Sequence, residues 1–243
     1  MTNTKGMTMP QIDDAELFGN AEDQRAYEEF CANQEAVEKF TLDKPALVCR
    51  WRMSNKKVPM LNRHIRALSE RLVQGEPLTH NMLSWAKQHV EWSLAEGDYT
   101  ARDGVLMLVI DVNGNAAMTV GEYEPLADTS AKALRARSAE ARSEADETGV
   151  APELLAAVDN GELAFVAPAD ECLCGTATLI EQLAQTKGIP VTRVDIPAQL
   201  KGALFLVSDE HGVVPATEAD AAETDAAMVA FFADGYEKLR ARR

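Results

Sequence analysis

At 243 residues and 26.5 kDa the chain is long enough for one large domain or two modest ones with a real core. Hydrophobic residues at 46 % and charged residues at 26 % place it among folded globular proteins and away from disordered chains. A formal charge of −15 repels a nucleic-acid backbone, and no apolar run approaches the roughly 20 residues of a bilayer span, so neither nucleic acid nor membrane is expected as a partner. The opening MTNTKGMTMPQIDDAE lacks the apolar stretch of a signal peptide, and the expected location is cytoplasmic. Cys31, Cys49, Cys172 and Cys174 are too few and too scattered for a disulfide framework. Cys172-x-Cys174 does not have zinc-knuckle spacing and no histidine is near it in sequence, so no metal is expected.

The first 44 residues are acidic and helix-permissive, with Tyr27, Phe30, Cys31 and Val37 at helical spacing, and read as a helical extension. ALVCRWRM follows as a strand: Leu47, Cys49, Trp51 and Met53 alternate with Val48, Arg50 and Arg52. After the turn Ser54–Lys57, VPMLNRHIRALSERLVQG predicts a helix with Leu61, Ile65, Leu68 and Leu72 on one face and Gly75 at its end. Thr79 or Asn81 can cap the next helix, whose Leu83, Ala86, Val90 and Leu94 form a stripe. Trp85 and Trp92, seven apart on that helix, read as packing residues. GVLMLVIDVNGNAAMTVGEYEPL predicts two strands joined at Asn113-Gly114.

SAKALRARSAEARSEADETG is rich in helix formers and turns Leu134, Ser138, Ala141 and Ala145 to one side. Hairpins are predicted around Asp159-Asn160-Gly161 and from Asp209 to Gly212, with a strand in IPVTRVDI and a closing helix in TDAAMVAFFADGYEKLRARR. Between the hairpins lies CLCGTATLIEQLAQTKGIP, a glycine-hydroxyl turn running straight into a helix. Gly175, Thr176 and Thr178 can offer backbone amides and hydroxyls to a phosphate or carboxylate at the helix start. The same residues can equally cap an ordinary helix. The fold class is α+β, divided into residues 1–44, a smaller domain at 45–126 and a larger one at 127–243.

The order of these pieces resembles the class IV aminotransferases, a pyridoxal-phosphate group that includes branched-chain and D-amino-acid aminotransferases and aminodeoxychorismate lyase. ALVCRWRM with NKKVPMLNRHIRAL resembles that family's strand, turn and His-Leu-x-Arg-Leu helix start. SAKALRARSAEARSEADETG resembles the segment carrying the Schiff-base lysine, CGTATLIEQLAQTKGIPVTRVDI the Gly-Ile-Thr-Arg phosphate turn, and ALFLVSDEHGVVPAT the late strand pair. The resemblance implies a two-domain class IV fold, here with a shortened second domain and an extra N-terminal segment, and usually a homodimer. It implies pyridoxal phosphate bound covalently by Lys132, its phosphate on Gly175, Thr176 and Thr178 with His64 and Arg66 nearby. Arg50 and Arg52 would hold a substrate carboxylate. The substrate would be a small amino acid or amino-substituted acid, handled by transamination or lysis.

Three departures point the other way. Counting back from Glu144-Ala145 and Gly149 puts Ala131 at the lysine position and Lys132 one residue late. Ala67 stands where the family has its arginine, with Arg63 and Arg66 adjacent. The strand pair bearing the glutamate for the pyridine nitrogen is missing between Val158 and Pro168, where Glu162 and Asp159 are the local carboxylates. These favour a second reading, a homologue that kept the fold, lost the cofactor chemistry and acts as a binding or interaction protein. His211 reads as a solvated hairpin residue, and His80 and His89 have no identifiable nucleophile to serve.

Overall fold

Alternating apolar residues build β1 (Pro45–Met53): Leu47, Cys49, Trp51 and Met53 are all buried, while Arg50 faces water. In this computed structural model the described residues are 25, 27–29, 41–96, 99–150, 153–195, 200–217 and 221–241. The expected helical extension therefore lies outside the described residues, apart from helical positions 25 and 27–29 and the non-helical segment 41–44. Contacts divide the chain into Met1–Thr41 and Leu42–Arg243, and both large sheets belong to the second unit.

β1 pairs antiparallel with β4 (Gly104–Asp111), and β4 with β5 (Ala116–Gly121), in the order β1-β4-β5. The Asn113-Gly114 turn between them is held by buried Asp111, whose Oδ1 accepts the amides of Asn113 and Asn115 at 2.8 Å. Between β1 and β4 lie α1 (Leu61–Ser69), a two-rung ladder of β2 (Leu72–Val73) and β3 (Glu76–Pro77), and α2 (His80–Glu96). The helix expected to reach Gly75 stops at Ser69. Gln74 and Gly75 both take positive φ (53° and 83°) and reverse the chain, so Leu72 leaves the helical face and is 57 % exposed. α1 buries Leu61, His64 and Leu68, and α2 buries Met82, Ala86, Val90 and Leu94.

The second half is a five-stranded sheet in the order β10-β9-β6-β7-β8. Its strands are β6 (Leu154–Asp159), β7 (Glu162–Val166), β8 (Val191–Val194), β9 (Ala203–Ser208) and β10 (Gly212–Pro215). Three helices cover it: α3 (Ala131–Thr148), α4 (Gly175–Lys187) and α5 (Glu223–Arg240). All pairings are antiparallel except β7–β8, which α4 connects as a crossover. β9 is buried on both faces. Ala203, Phe205 and Val207 join the core shared with α4 and α5, and Leu204 and Leu206 pack with Leu134 of α3. Ser130 caps α3 by accepting the Ala133 amide at 3.2 Å. The two large sheets fall on either side of residues 122–130, and among the described residues no helix is long and apolar enough to cross a membrane.

A candidate functional site at the head of helix α4

Cys174 is the N-cap of α4, with its sulfur accepting the Ala177 amide at 3.5 Å, and the helix opens with Gly175 and Thr176. The orphan amides at this end meet a carboxylate from the chain itself. Asp209, in the turn between β9 and β10, accepts the Thr176 amide at 2.7 Å on Oδ1 and the Gly175 amide at 3.2 Å on Oδ2. His64 of α1 completes the arrangement, its Nδ1 lying 3.1 Å from Asp209 Oδ2 and its Nε2 facing Pro59 O at 3.1 Å. The imidazole is buried and stacked on Trp51, with centroids 5.3 Å apart and planes at 17°. Gly175 is required by this closeness. A Cβ there would stand 2.6 Å from His64 Nδ1, and the stacked ring has nowhere to retreat.

The electrostatics follow from the geometry. Burial pushes the Asp209 carboxyl up, but the His64 charge and the hydrogen bonds from His64 and Thr176 outweigh it and hold it down at about 2. Burial, with the Asp209 charge second, drives the Cys49 thiol up to about 12 and raises Cys174 as well, so neither is a nucleophile near neutral pH. With a folded value near 2 against an ordinary 3.8, the Asp209 contribution is complete above about pH 4 and disappears as pH falls through 2. Wild type is expected to lose about 2 kcal/mol more than Asp209→Asn between pH 5 and pH 2. Urea midpoints across that range check it, and parallel curves for the two proteins would refute it.

Next to Asp209 is a cleft of about 200 Å³ whose polar walls are Arg50, Glu144, Glu153, Ser208, Asp209 and Glu210. Arg137 of α3 grips Glu153 through Nε at 3.0 Å and Nη2 at 3.2 Å, and Glu144 through Nη1 at 3.0 Å and Nη2 at 3.2 Å. Arg50 pairs with Glu144 at 2.9 Å and Glu210 at 3.2 Å. His211 is not the solvated residue expected from its hairpin. Its side chain is 7 % exposed, with Nδ1 3.4 Å from the Tyr123 hydroxyl and Nε2 3.8 Å from Glu153 Oε1. Burial lowers its pKa, opposed by the charges of Glu153 and Glu210. Glu153, Glu210 and His211 bring one donor atom each within 4.8 Å of one another, but Arg137 and Arg50 already engage the two carboxylates where a divalent ion would compete.

The residues expected from the sequence divide into two groups. Gly175, Thr176 and His64 converge at one point, around Asp209. Thr178 turns its hydroxyl back to Gly175 O at 2.8 Å and receives Arg63 at 3.4 Å. Arg66 is exposed, because two residues along α1 from His64 is about 200° around the helix. Lys132 is exposed for the same reason: it lies two residues before buried Leu134 on α3, and Ala131, not Lys132, packs against the core. The expectation that Lys132 enters the groove under Gly175 is therefore corrected. Arg50 is spent on its own carboxylates, and Arg52 lies over the Tyr123 ring at 3.2 Å while its backbone amide donates to Asp209 O at 2.9 Å. Asp209, Arg137, Glu153 and Glu210 were not singled out in the sequence, where Asp209 and Glu210 read as ordinary turn residues.

Pyridoxal phosphate needs dianion donors and an amine, and the residues present do not fit it. The amides that would receive the phosphate hold Asp209 instead. A like charge 4 Å from that carboxylate would be repelled by about 4 kcal/mol at an effective dielectric of about 20. The residues lining the cleft include no lysine.

Comparison with protein families and with curated proteins returns no match. Solved structures do match. A provisionally named branched-chain amino acid aminotransferase from Thermotoga maritima is 14 % identical, with a TM-score of 0.54 over 85 % of this chain and 92 % of that one. A provisionally named 4-amino-4-deoxychorismate lyase is 13 % identical, at 0.54 over 96 % and 97 %. The 4-amino-4-deoxychorismate lyase of Pseudomonas aeruginosa is 15 % identical, at 0.50 over 82 % and 96 %. Together with the mixed sheets and helices above, these likenesses give the chain the fold of the class IV aminotransferases and aminodeoxychorismate lyases.

Proposed function

We propose that this chain keeps the class IV aminotransferase fold as a binding scaffold without pyridoxal-phosphate chemistry, and that its cleft takes a small cationic or zwitterionic molecule. The observation that carries this reading is the cleft's lining. Glu144, Glu153, Asp209 and Glu210 supply four carboxylates there against two guanidiniums, Arg50 in the lining and Arg137 bonded to Glu144 and Glu153 from α3, and the lining includes no lysine to form a Schiff base. The low-exposure carboxylates of Glu153 and Glu210 concentrate a positive ligand. Transamination or lysis of an amino acid, the activity implied by the resemblance, would need Lys132 to turn inward through about 200° of helix.

Two measurements test the proposal. Protein mixed with pyridoxal phosphate and then treated with borohydride is expected to show no aldimine band and no pyridoxyl adduct on Lys132 beyond that on other exposed lysines. A stoichiometric adduct at one lysine would overturn the cofactor-free reading. In equilibrium dialysis, arginine or putrescine is expected to bind while succinate does not, and Glu210→Gln is expected to weaken binding. Preference for succinate would reverse the assigned ligand charge.

A further inference from the structure

His211 is not among the residues that line the cleft, yet it brings a ring nitrogen within 4.8 Å of a carboxylate oxygen of both Glu153 and Glu210, which are. Its Nε2 stops 3.8 Å from Glu153 Oε1, beyond hydrogen-bond reach, so a neutral ring leaves that carboxylate to Arg137 and to whatever enters the cleft. The other nitrogen, Nδ1, lies 3.4 Å from the Tyr123 hydroxyl, which can donate to a neutral imidazole or accept from a protonated one. Tyr123 is held in turn by the Arg52 guanidinium, 3.2 Å from its ring centroid. Both protonation states of His211 therefore find a partner at Nδ1 without rearrangement.

The groups facing the ring set its balance. Burial opposes the proton most, the charges of Glu153 and Glu210 favour it, and those of Arg137 and Arg50 oppose it. The net direction is downward from 6.5, so the ring is neutral near pH 7.5 and gains its charge in mild acid. A charged imidazole would then face the same Glu153 that a positive ligand uses.

We propose that His211 makes the cleft an exchange site, in which a cationic ligand and a proton on the imidazole compete for Glu153 and Glu210. The inference rests on the cationic reading of the cleft given above and adds its control: the ligand is held near neutrality and released in acid. Linkage fixes the sizes. One proton displaced per ligand weakens binding by up to about tenfold for each pH unit below the His211 midpoint, and the bound ligand lowers that midpoint in return.

The test uses putrescine, whose amines resemble that of lysine and stay protonated throughout the range of about pH 5.5 to pH 8. Equilibrium dialysis at fixed ionic strength gives its dissociation constant for wild type and for His211→Gln, and proton NMR follows the His211 ring with and without saturating putrescine. In wild type the constant is expected to level off at the alkaline end and to climb toward about tenfold per pH unit at the acid end, whereas in His211→Gln it should move less than about twofold. The His211 midpoint should fall when putrescine saturates the protein. Absence of putrescine binding by wild type at pH 8 overturns the cationic reading of the cleft and this inference with it. Binding that does not depend on pH, or a slope that His211→Gln retains, overturns this inference alone. Should His211→Gln fail to fold, the wild-type NMR decides: a lowered midpoint supports the exchange and an unmoved one overturns it.

Discussion

Replacing Arg137 with leucine is expected to cost about 2–3 kcal/mol in urea unfolding, because its guanidinium holds two carboxylates, one of which, Glu153, has little access to water. Arg137 is 21 % exposed and Glu153 10 %, and they share two bonds, at 3.0 and 3.2 Å. Burial lowers the Arg137 pKa, but the hydrogen bonds and charges of Glu153 and Glu144 more than reverse that, and the net direction is strongly upward. Without the arginine, Glu153 is left as a nearly buried anion, with the His211 imidazole 3.8 Å away. The double variant Arg137→Leu/Glu153→Leu removes that orphan and is expected to lose less than the single variant, a sign pattern that a purely steric effect of leucine would not give. The His211 titration, followed by NMR, provides an independent check. Arg137 is among the charges that depress it, so the His211 pKa is expected to rise in Arg137→Leu, and a fall would contradict the arrangement.

The strands and hairpins were legible because their signals are local. Asn113-Gly114 and Asn160-Gly161 dictate tight turns, and alternation from Leu47 to Met53 dictates a one-sided strand. The inner face of α3 was legible too, since Leu134 is the one large apolar residue of an alanine-rich, charged segment and sets the helical face that also carries Ser138 and Ala141. The end of α1 was not, because the leucine at 72 fits a helical stripe as well as it fits a short strand, and only the paired positive φ angles of Gln74 and Gly75 decide. The glycine-hydroxyl turn marks a helix start with amides to satisfy, but nothing local says which group satisfies them. Asp209 lies 33 residues beyond Thr176 and 145 beyond His64, in a hairpin where an aspartate is the commonplace choice. Lys132 illustrates the reverse hazard: a resemblance supplied a role, and the helical period of 3.6 residues, set by Leu134, turned the side chain outward.

The largest loss is expected from Phe205→Ala, at about 3–5 kcal/mol. Phe205 is fully buried on β9, a strand paired with β10 on one side and β6 on the other, and its ring lies 6.1 Å from that of Phe232 on α5 at 34°. Removing it opens a cavity among Leu154, Phe165, Val207 and Phe232 that the sheet cannot close, because the opposite face of the same strand is fixed by Leu204 and Leu206 against α3. Phe205→Leu keeps most of the volume and is expected to cost less than half as much. Urea unfolding at constant slope measures both, and a Phe205→Ala loss below about 1 kcal/mol would mean that β9 is not the strand on which the two cores meet. The strand also carries the chain into Ser208 and Asp209, four residues on, so its position sets where the carboxylate meets α4. In Phe205→Leu, which stays folded, the acid limb assigned to Asp209 is expected to persist. Its loss there would show that the carboxylate depends on the exact seating of the strand and not only on the amides it caps.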